Sequence, residues 1–502
     1  MKRLSFIAVG LLAFALQSCQ SSPDENKNVE ETAVSWEDLS RPAPMPEWLY
    51  DAKFGIYFSW GVYTVPEYDS EWYPRNMYDR NHHVYAFHTK KYGDPAKFGY
   101  HDLVPLFKGE AFNPEEWAAL VKESGAGFAG PIAEHHDGFS MWNSKVNPWN
   151  AKQMGPKKDV VKGLHDAITE QGLKYFVSFH HARQLQRNAK ENNGGGYDSH
   201  FIYDKEWHTS STDPQLRLLY GNMGEEEFNE FWFNKLKEVI DGYSPDFIYF
   251  DSWLNLIPEA YRKKFCAYYL EHGKKNRQDV GISYKQNDLP ITVGVHDIEK
   301  GGHMEVHKPA WMTDDTMCFG SWSYTTDILI KPVSMVLHSL IDIVSKNGVL
   351  LLNGSPRADG SIPEEQKRLL REMGKWLKAN GEAIYGTRPW WIHGGGPTTS
   401  QANAHGGMVT TNVYKAEDYR YTQSKDGKSI YIIFMGRPEP GTEIRMRDFA
   451  PHRYPPTTAV KKVVELSSGA EVKLKQTDSA FYFTVPDVPM SKLAVVFKMM
   501  LE

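Results

Sequence analysis

The sequence predicts an α/β chain: a (β/α)8-like barrel followed by a C-terminal antiparallel β-sandwich. Three observations carry this. Short apolar and aromatic runs bounded by turn residues, such as Phe247 to Phe250 after Ser244-Pro-Asp246, read as strands buried on both faces, which belong to parallel sheets. These runs alternate with amphipathic helical stretches, and ionisable residues stand just after them, where a barrel carries its site. From about Gly394 the helical period stops, and only short β runs separated by turn signals remain. The expected division is a lipoprotein-type signal over 1–19, a polar tether over 20–40, the barrel over 41–390 and the sandwich over 391–502.

In order, Lys2 and Arg3 precede an apolar run, Phe6 to Leu16, that is too short to span a bilayer. It ends at Leu16-Gln-Ser-Cys19, which resembles a bacterial lipoprotein signal with Cys19 as the lipidated first residue. The expectation is export to the periplasm or outer membrane, with a lipid anchor at Cys19; an ordinary secretory signal cut nearby is the alternative. The next residues are rich in Ser, Asn, Asp and Glu, as in a tether.

The first strand-like run is Lys53-Phe-Gly-Ile-Tyr-Phe-Ser-Trp-Gly61, followed by an aromatic loop, Ser70-Glu-Trp-Tyr-Pro-Arg-Asn-Met-Tyr78. Glu71 in that loop can bond a sugar hydroxyl or pair with Arg75. Pro114 to Ser124 reads as a helix, and Gly125 to Ala133 as a strand that delivers Glu134-His-His-Asp-Gly-Phe-Ser-Met-Trp142. His135 and His136, flanked by acids at a strand end, read as site residues. A metal is not expected of them, because adjacent residues on an extended chain point to opposite faces. Asp159 to Gln171 is a helix, and Gly172 to His181 is a strand ending in His180 and His181. A long polar loop runs from Gln184 to His208 and reads as a lid or a partly disordered segment. A helix over Glu225 to Gly242 leads to the strand ending at Asp251, whose carboxylate is either catalytic or a cap on a helix expected over Leu254 to Leu270. Val280 to Tyr284 and Thr292 to Gly302 come next, the latter holding Glu299, with Glu305, Asp314 and Asp315 nearby. Trp322, a helix over Pro332 to Lys346, a buried strand over Asn347 to Asn353 and a helix over Pro363 to Asn380 complete the barrel. The sandwich strands expected are Ser429 to Met435, Val460 to Leu466, Phe481 to Val485 and Leu493 to Phe497.

Composition excludes several classes. A net charge of −6 favours no nucleic-acid partner. Three cysteines, one of them Cys19, imply no disulfide framework. No CxxC or HExxH spacing points to zinc, and no cofactor is expected. No GxGxxG follows a strand, which argues against a dinucleotide fold.

Two carboxylates at a barrel mouth among Trp, Tyr and His suggest glycoside hydrolysis, in which one acid protonates the leaving oxygen and a second carboxylate attacks or activates water. For Glu299 the bland alternative is a surface pair with Lys300. The runs Lys53 to Gly61, Ser70 to Tyr78 and His135 to Phe139, with Pro245 to Asp251, Asn347 to Asn353 and Trp376-Leu-Lys-Ala-Asn-Gly-Glu-Ala-Ile-Tyr385, resemble in this order those of family 29 glycoside hydrolases, the α-L-fucosidases. The resemblance implies a retaining exo-α-L-fucosidase acting on fucosylated oligosaccharides or glycoconjugates, with Asp251 as nucleophile. It also implies that Glu71, Trp72, His135 and His136, with His180 and Trp322, hold the sugar. For the acid/base the resemblance favours Glu299, whose Asp-Ile-Glu-Lys-Gly setting is similar to one found in a subset of relatives, with Glu305 as second choice. Two positions depart from the family pattern. Ser59 stands where a sugar-contacting His is usual, and Met312 follows Trp311 where many relatives carry the acid. These departures leave two alternatives: a hydrolase of a related L-sugar such as an α-L-galactoside, or a degenerate carbohydrate-binding lipoprotein.

Overall fold

The computed structural model describes residues 34–187, 198–251, 253–398, 413–450 and 460–502. The signal segment, residues 20–33 of the expected tether and the glycine run of the 184–208 loop lie outside these residues. Ser35 already caps a short helix, Trp36–Leu39, so regular structure begins ahead of the expected tether end at 40.

Eight parallel strands close a barrel. They are β1 Phe54–Phe58, β2 Phe128–Glu134, β3 Lys174–Phe179, β4 Phe247–Phe250, β5 Gly281–Lys285, β6 Val295–Asp297, β7 Trp311–Thr316 and β8 Gly348–Gly354. β8 pairs with both β7 and β1, which shuts the ring. Almost every strand residue is buried, as expected for strands covered on one face by helices and packed on the other into the barrel interior. Tyr57, Ile132, Phe176, Tyr249, Met312 and Leu351 belong to the interior cluster. It fills the barrel as a packed core, so a ligand has room only at its ends.

Helices α1 Pro114–Ser124, α2 Val160–Glu170, α3 Glu225–Tyr243, α4 Glu259–Asn276, α5 Val333–Ser345 and α6 Glu364–Asn380 cover the outside. Their ends follow local chemistry. The Asn113 side chain accepts from Glu116 N at the start of α1, Pro114 sits in the first turn, and Gly125 at φ 85° ends it. Asp159 caps α2 in the same way, accepting from Lys162 N. The helix expected from Leu254 starts instead at Glu259, after a single 3-10 turn, Leu254–Leu256. Among the described residues, β5–β6 and β6–β7 are joined without any helix, which leaves that side of the rim to loops.

The C-terminal unit packs a five-stranded antiparallel sheet against a three-stranded one. The first contains β9 Arg388–Gly395, β10 Tyr419–Gln423, β11 Ser429–Phe434, β13 Val460–Glu465 and β16 Val495–Leu501, in the order β9-β10-β11-β16-β13. The second contains β12 Glu443–Met446, β14 Leu474–Thr477 and β15 Ala480–Thr484, in the order β12-β15-β14. Trp390, Tyr421, Phe434, Phe449 and Phe497 form their shared core. β9 begins ahead of the expected boundary at 391, because the chain turns into the sheet soon after α6, past a single 3-10 turn at Gly381–Ala383. The barrel holds this unit through Trp376 Nε1, which donates to Ala494 O (2.9 Å), and through Arg420 Nε, 2.5 Å from Asp342. No helix among the described residues is long and apolar enough to cross a membrane.

Candidate active site

The C-terminal ends of the barrel strands surround a cavity of about 170 Å³. At about 30 Å³ per water that is room for roughly six waters, the size of one sugar ring rather than of an extended chain. Each strand contributes where its apolar run ends.

β4 delivers Asp251. Its backbone N–H donates to Phe179 O, so the residue still follows the strand while its side chain enters the cavity. It does not cap the next helical turn; Asp288 does, accepting from Leu254 N at 2.8 Å. β2 pairs with β3 through a register shift between Ile132 and Glu134, a bulge-like irregularity that re-aims the residues beyond it. His135 and His136 come after the strand has ended, so the alternation expected of an extended chain no longer applies and both line the cavity. β3 delivers His180, whose Nε2 lies 2.6 Å from Ser178 Oγ. His136 Nδ1 donates to His180 O, which turns Nε2 toward Asp251 Oδ2 at 3.3 Å; His180 Nδ1 lies 3.5 Å from the same oxygen.

From the first loop come Glu71 and Trp72. Glu71 does not take Arg75 as its partner. Its Oε2 accepts the backbone N–H of Trp322 at 3.1 Å, while Arg75 Nη1 donates to Ser199 O at 2.8 Å. One hydrogen bond therefore ties the β1 loop to the β7 loop across the cavity. The Trp72 and His136 rings stand 5.4 Å apart. Ser59 also lines the cavity, and its hydroxyl donates to Asn353 Oδ1 at 2.7 Å.

Glu299, on the loop after β6, lines the cavity but does not pair with Lys300. Its Oε2 lies 2.7 Å from Lys285 Nζ. The same ammonium lies 2.8 Å from Asp251 Oδ1, 3.5 Å from Asp314 Oδ1 and 4.0 Å from Asp297 Oδ2. The oxygens of Asp251 and Glu299 can thus be no farther apart than those two short contacts laid end to end. Lys300 instead reaches Gly320 O and lies over the Trp322 ring.

Glu305 is not brought to this place. Its side chain is 73% exposed and pairs with His393 of β9 at 2.9 Å, on the surface where the barrel meets the sheet. Met312 faces the barrel interior among Tyr57, Phe176 and Tyr249, on the same face of β7 as Asp314 and one layer deeper. Sequence reasoning misses Lys285, Tyr57, Arg183 and the cavity role of Asp314. The guanidinium of Arg183 lies over the rings of Trp72 and Trp253.

Electrostatics separate the groups. Burial alone would raise the Asp251 carboxyl, but Lys285 beside it, with His180 and His136, holds it well below the usual carboxylate range. Burial pushes Glu71 up to about 7, against the pull of backbone N–H groups and Lys300. Burial brings His180 down to about 3, and His135 well below its ordinary value with help from the neighbouring histidines. These rings are neutral near pH 7, suited to exchange hydrogen bonds with hydroxyls. Ring nitrogens of His135, His136 and His180 lie within 4.8 Å of one another, a spacing that would suit a cation. Two of their nitrogens are already engaged by His180 O and Ser178 Oγ, and two face Asp251, so we read the three rings as polar lining.

An acid pair in a sugar-sized cup lined by neutral imidazoles and an indole is glycosidase architecture, and comparison with known proteins gives the same answer. The family model described as Alpha-L-fucosidase matches residues 19–382. The chain belongs to the α-L-fucosidase family of glycoside hydrolases. It is 29% identical over 473 residues to the tissue alpha-L-fucosidase of Homo sapiens, covering 90% of this chain and 88% of that one. It is 30% identical over 422 residues to the plasma alpha-L-fucosidase of Pongo abelii, covering 81% and 80%. Among solved structures, Thermotoga maritima alpha-fucosidase in complex with fucose superposes with a TM-score of 0.73 at 25% identity, covering 93% of this chain and 99% of that one. These matches span the barrel and the sandwich together, so this α-L-fucosidase family member carries the architecture of its relatives along nearly its whole length.

Proposed function

We propose that this family member is a retaining exo-α-L-fucosidase that removes terminal α-L-fucosyl residues from glycans. The observation that carries the mechanism is the shared ammonium, 2.8 Å from Asp251 and 2.7 Å from Glu299. It caps the gap between the two facing carboxylate oxygens at about 5.5 Å, which is compatible with the spacing of about 5–5.5 Å used by retaining pairs and short of the roughly 6.5–9.5 Å that inversion needs for its water. In the first step an Asp251 oxygen bonds to the anomeric carbon while Glu299 gives its proton to the departing oxygen. In the second, Glu299 takes a proton from water, the water oxygen bonds to the anomeric carbon, and the bond to Asp251 breaks. Asp251 suits the nucleophile because its neighbours keep it ionised. Glu71, Trp72, His135, His136, His180 and Trp322 surround the ring. The small cavity supports cleavage of a single terminal residue.

The deciding experiment uses purified protein and an aryl α-L-fucoside. The first-formed sugar, followed by proton NMR, should be the α anomer. Label from 2-fluoro-fucosyl fluoride should map to Asp251, and Asp251→Gly should take neither label nor substrate. Undiminished turnover by Asp251→Gly, or β-fucose as first product, would overturn the assignment. The signal-like segment ending at Cys19 supports export and a lipid anchor; Cys19→Ser should move the protein from the membrane to the soluble fraction, and unchanged partitioning refutes the anchor.

A further inference from the structure

We infer that Lys285 is the positioning residue of this site, its ammonium setting the spacing of Asp251 and Glu299 and balancing the charge on Asp251. The inference rests on the hydrolase reading above. Lys285 closes β5, and its side chain is 1% exposed. An ammonium has three N–H donors and no acceptor. Here Asp251 and Glu299 stand at hydrogen-bond distance and Asp314 Oδ1 at 3.5 Å. These carboxylates come from the end of β4, the loop after β6 and β7. One buried cation therefore ties together the rim segment that has no helices behind it.

The groups around the cation are consistent with that role. Asp297 on β6 lies 4.0 Å away and accepts from Tyr249 OH; burial, with Asp314 beside it, pushes its carboxyl well above the usual range. Asp314 accepts from Tyr57 OH. The Tyr249 ring centroid stands 5.8 Å from Nζ, and His136 and His180 flank Asp251 from β2 and β3. Removing the ammonium alone would leave the ionised Asp251 without its cationic partner in a site of low dielectric, where uncompensated buried charge is costly.

The test is the pH profile of kcat/KM on an aryl α-L-fucoside, with label from 2-fluoro-fucosyl fluoride measured in parallel on wild type, Lys285→Met and Lys285→Arg. Catalysis needs ionised Asp251, and Lys285 favours the ionised form. The acid limb of Lys285→Met should therefore move to higher pH by about one unit or more. Lys285→Arg keeps the charge on a longer, planar group, so its limb should stay in place while kcat falls at least about tenfold from altered spacing. An even loss across all pH with the limb unmoved in Lys285→Met, or wild-type kcat in Lys285→Arg, overturns the inference. If Lys285→Met does not fold, Lys285→Arg decides alone: a fixed limb with reduced kcat supports the inference, and a shifted limb or wild-type kcat ends it. Absent label on wild type overturns the nucleophile assignment as well, so the two failures are distinguishable.

Discussion

Replacing Glu71 by Gln should make the protein more stable and less active, in a way that only a buried, proton-binding acid explains. Glu71 is 6% exposed, and burial raises it from 4.5 to about 7. At 1.36 kcal/mol per unit, that difference amounts to about 3 kcal/mol between the folded and unfolded chain. The folded pKa is the higher one, so the folded state binds this proton more tightly. Stability is unaffected below the unfolded value, falls as pH rises from about 4.5 to about 7, and stays reduced above. Gln has the same shape and nothing to ionise. The melting temperatures of wild type and Glu71→Gln should therefore nearly coincide at about pH 4.5 and diverge by about pH 8, with the variant higher by a few degrees for a barrel of this size. Trp322 N–H keeps an acceptor in the amide oxygen. In the pH 8 samples kcat/KM on an aryl α-L-fucoside should fall by about ten- to a hundredfold, the worth of one charge-assisted hydrogen bond from a hydroxyl to the ionised carboxylate. Melting curves that differ by the same amount at both pH values would show that burial does not hold a proton on Glu71.

Other changes test the scaffold and the placement of the acids. Lys235 and Glu134 form an ion pair with both side chains fully buried, so Lys235→Met should destabilise by about 3–5 kcal/mol, and adding Glu134→Gln should restore much of it, read as urea midpoints. A Cβ on Gly130 would stand 1.7 Å from Phe176 O of the neighbouring strand, so Gly130→Ala should yield little folded protein. Gly242→Ala, in α3 with nothing within 4 Å, should be neutral or slightly stabilising in the same expression and melting assay. Glu305→Gln should keep kcat/KM within about twofold, since its partner is His393 at the surface; a loss of tenfold or more would restore it as a candidate acid.

The sequence announces those barrel elements whose residues agree locally and globally. Phe247–Phe250, Gly348–Gly354 and α1, with Asn113, Pro114 and Gly125 at its ends, carry both the pattern and the punctuation. β7 is hard to see as a strand because Trp311-Met-Thr-Asp-Asp-Thr316 looks polar. Its acids are buried only because distant residues meet them, Tyr57 OH and Lys285 at Asp314 and Lys331 at Asp315. Two of the sandwich strands escape sequence reading for another reason: Glu443–Met446 and Leu474–Thr477 are short and largely exposed, so no apolar period marks them.

The site shows the same asymmetry. Asp251, His135, His136 and His180 come after runs with an unmistakable strand pattern, and strand ends point into the cup. Lys285 also ends a strand, Gly281–Lys285, yet a lysine there reads as the polar residue that closes a strand in solvent. Only the closure of the barrel, which puts the ends of β4, β5 and β7 side by side, converts it into a buried cation among acids. Glu299 and Glu305 show the limit from the other direction. They are six residues apart on one helix-free connection, and both look like loop carboxylates in sequence. What separates them is that the chain between passes from the cavity rim to the surface beside β9, leaving one acid 2.7 Å from Lys285 and the other facing His393. A residue whose role is fixed by its own strand can be found from one sequence. A residue whose role is fixed by a neighbour's charge needs the neighbour, and so the folded chain.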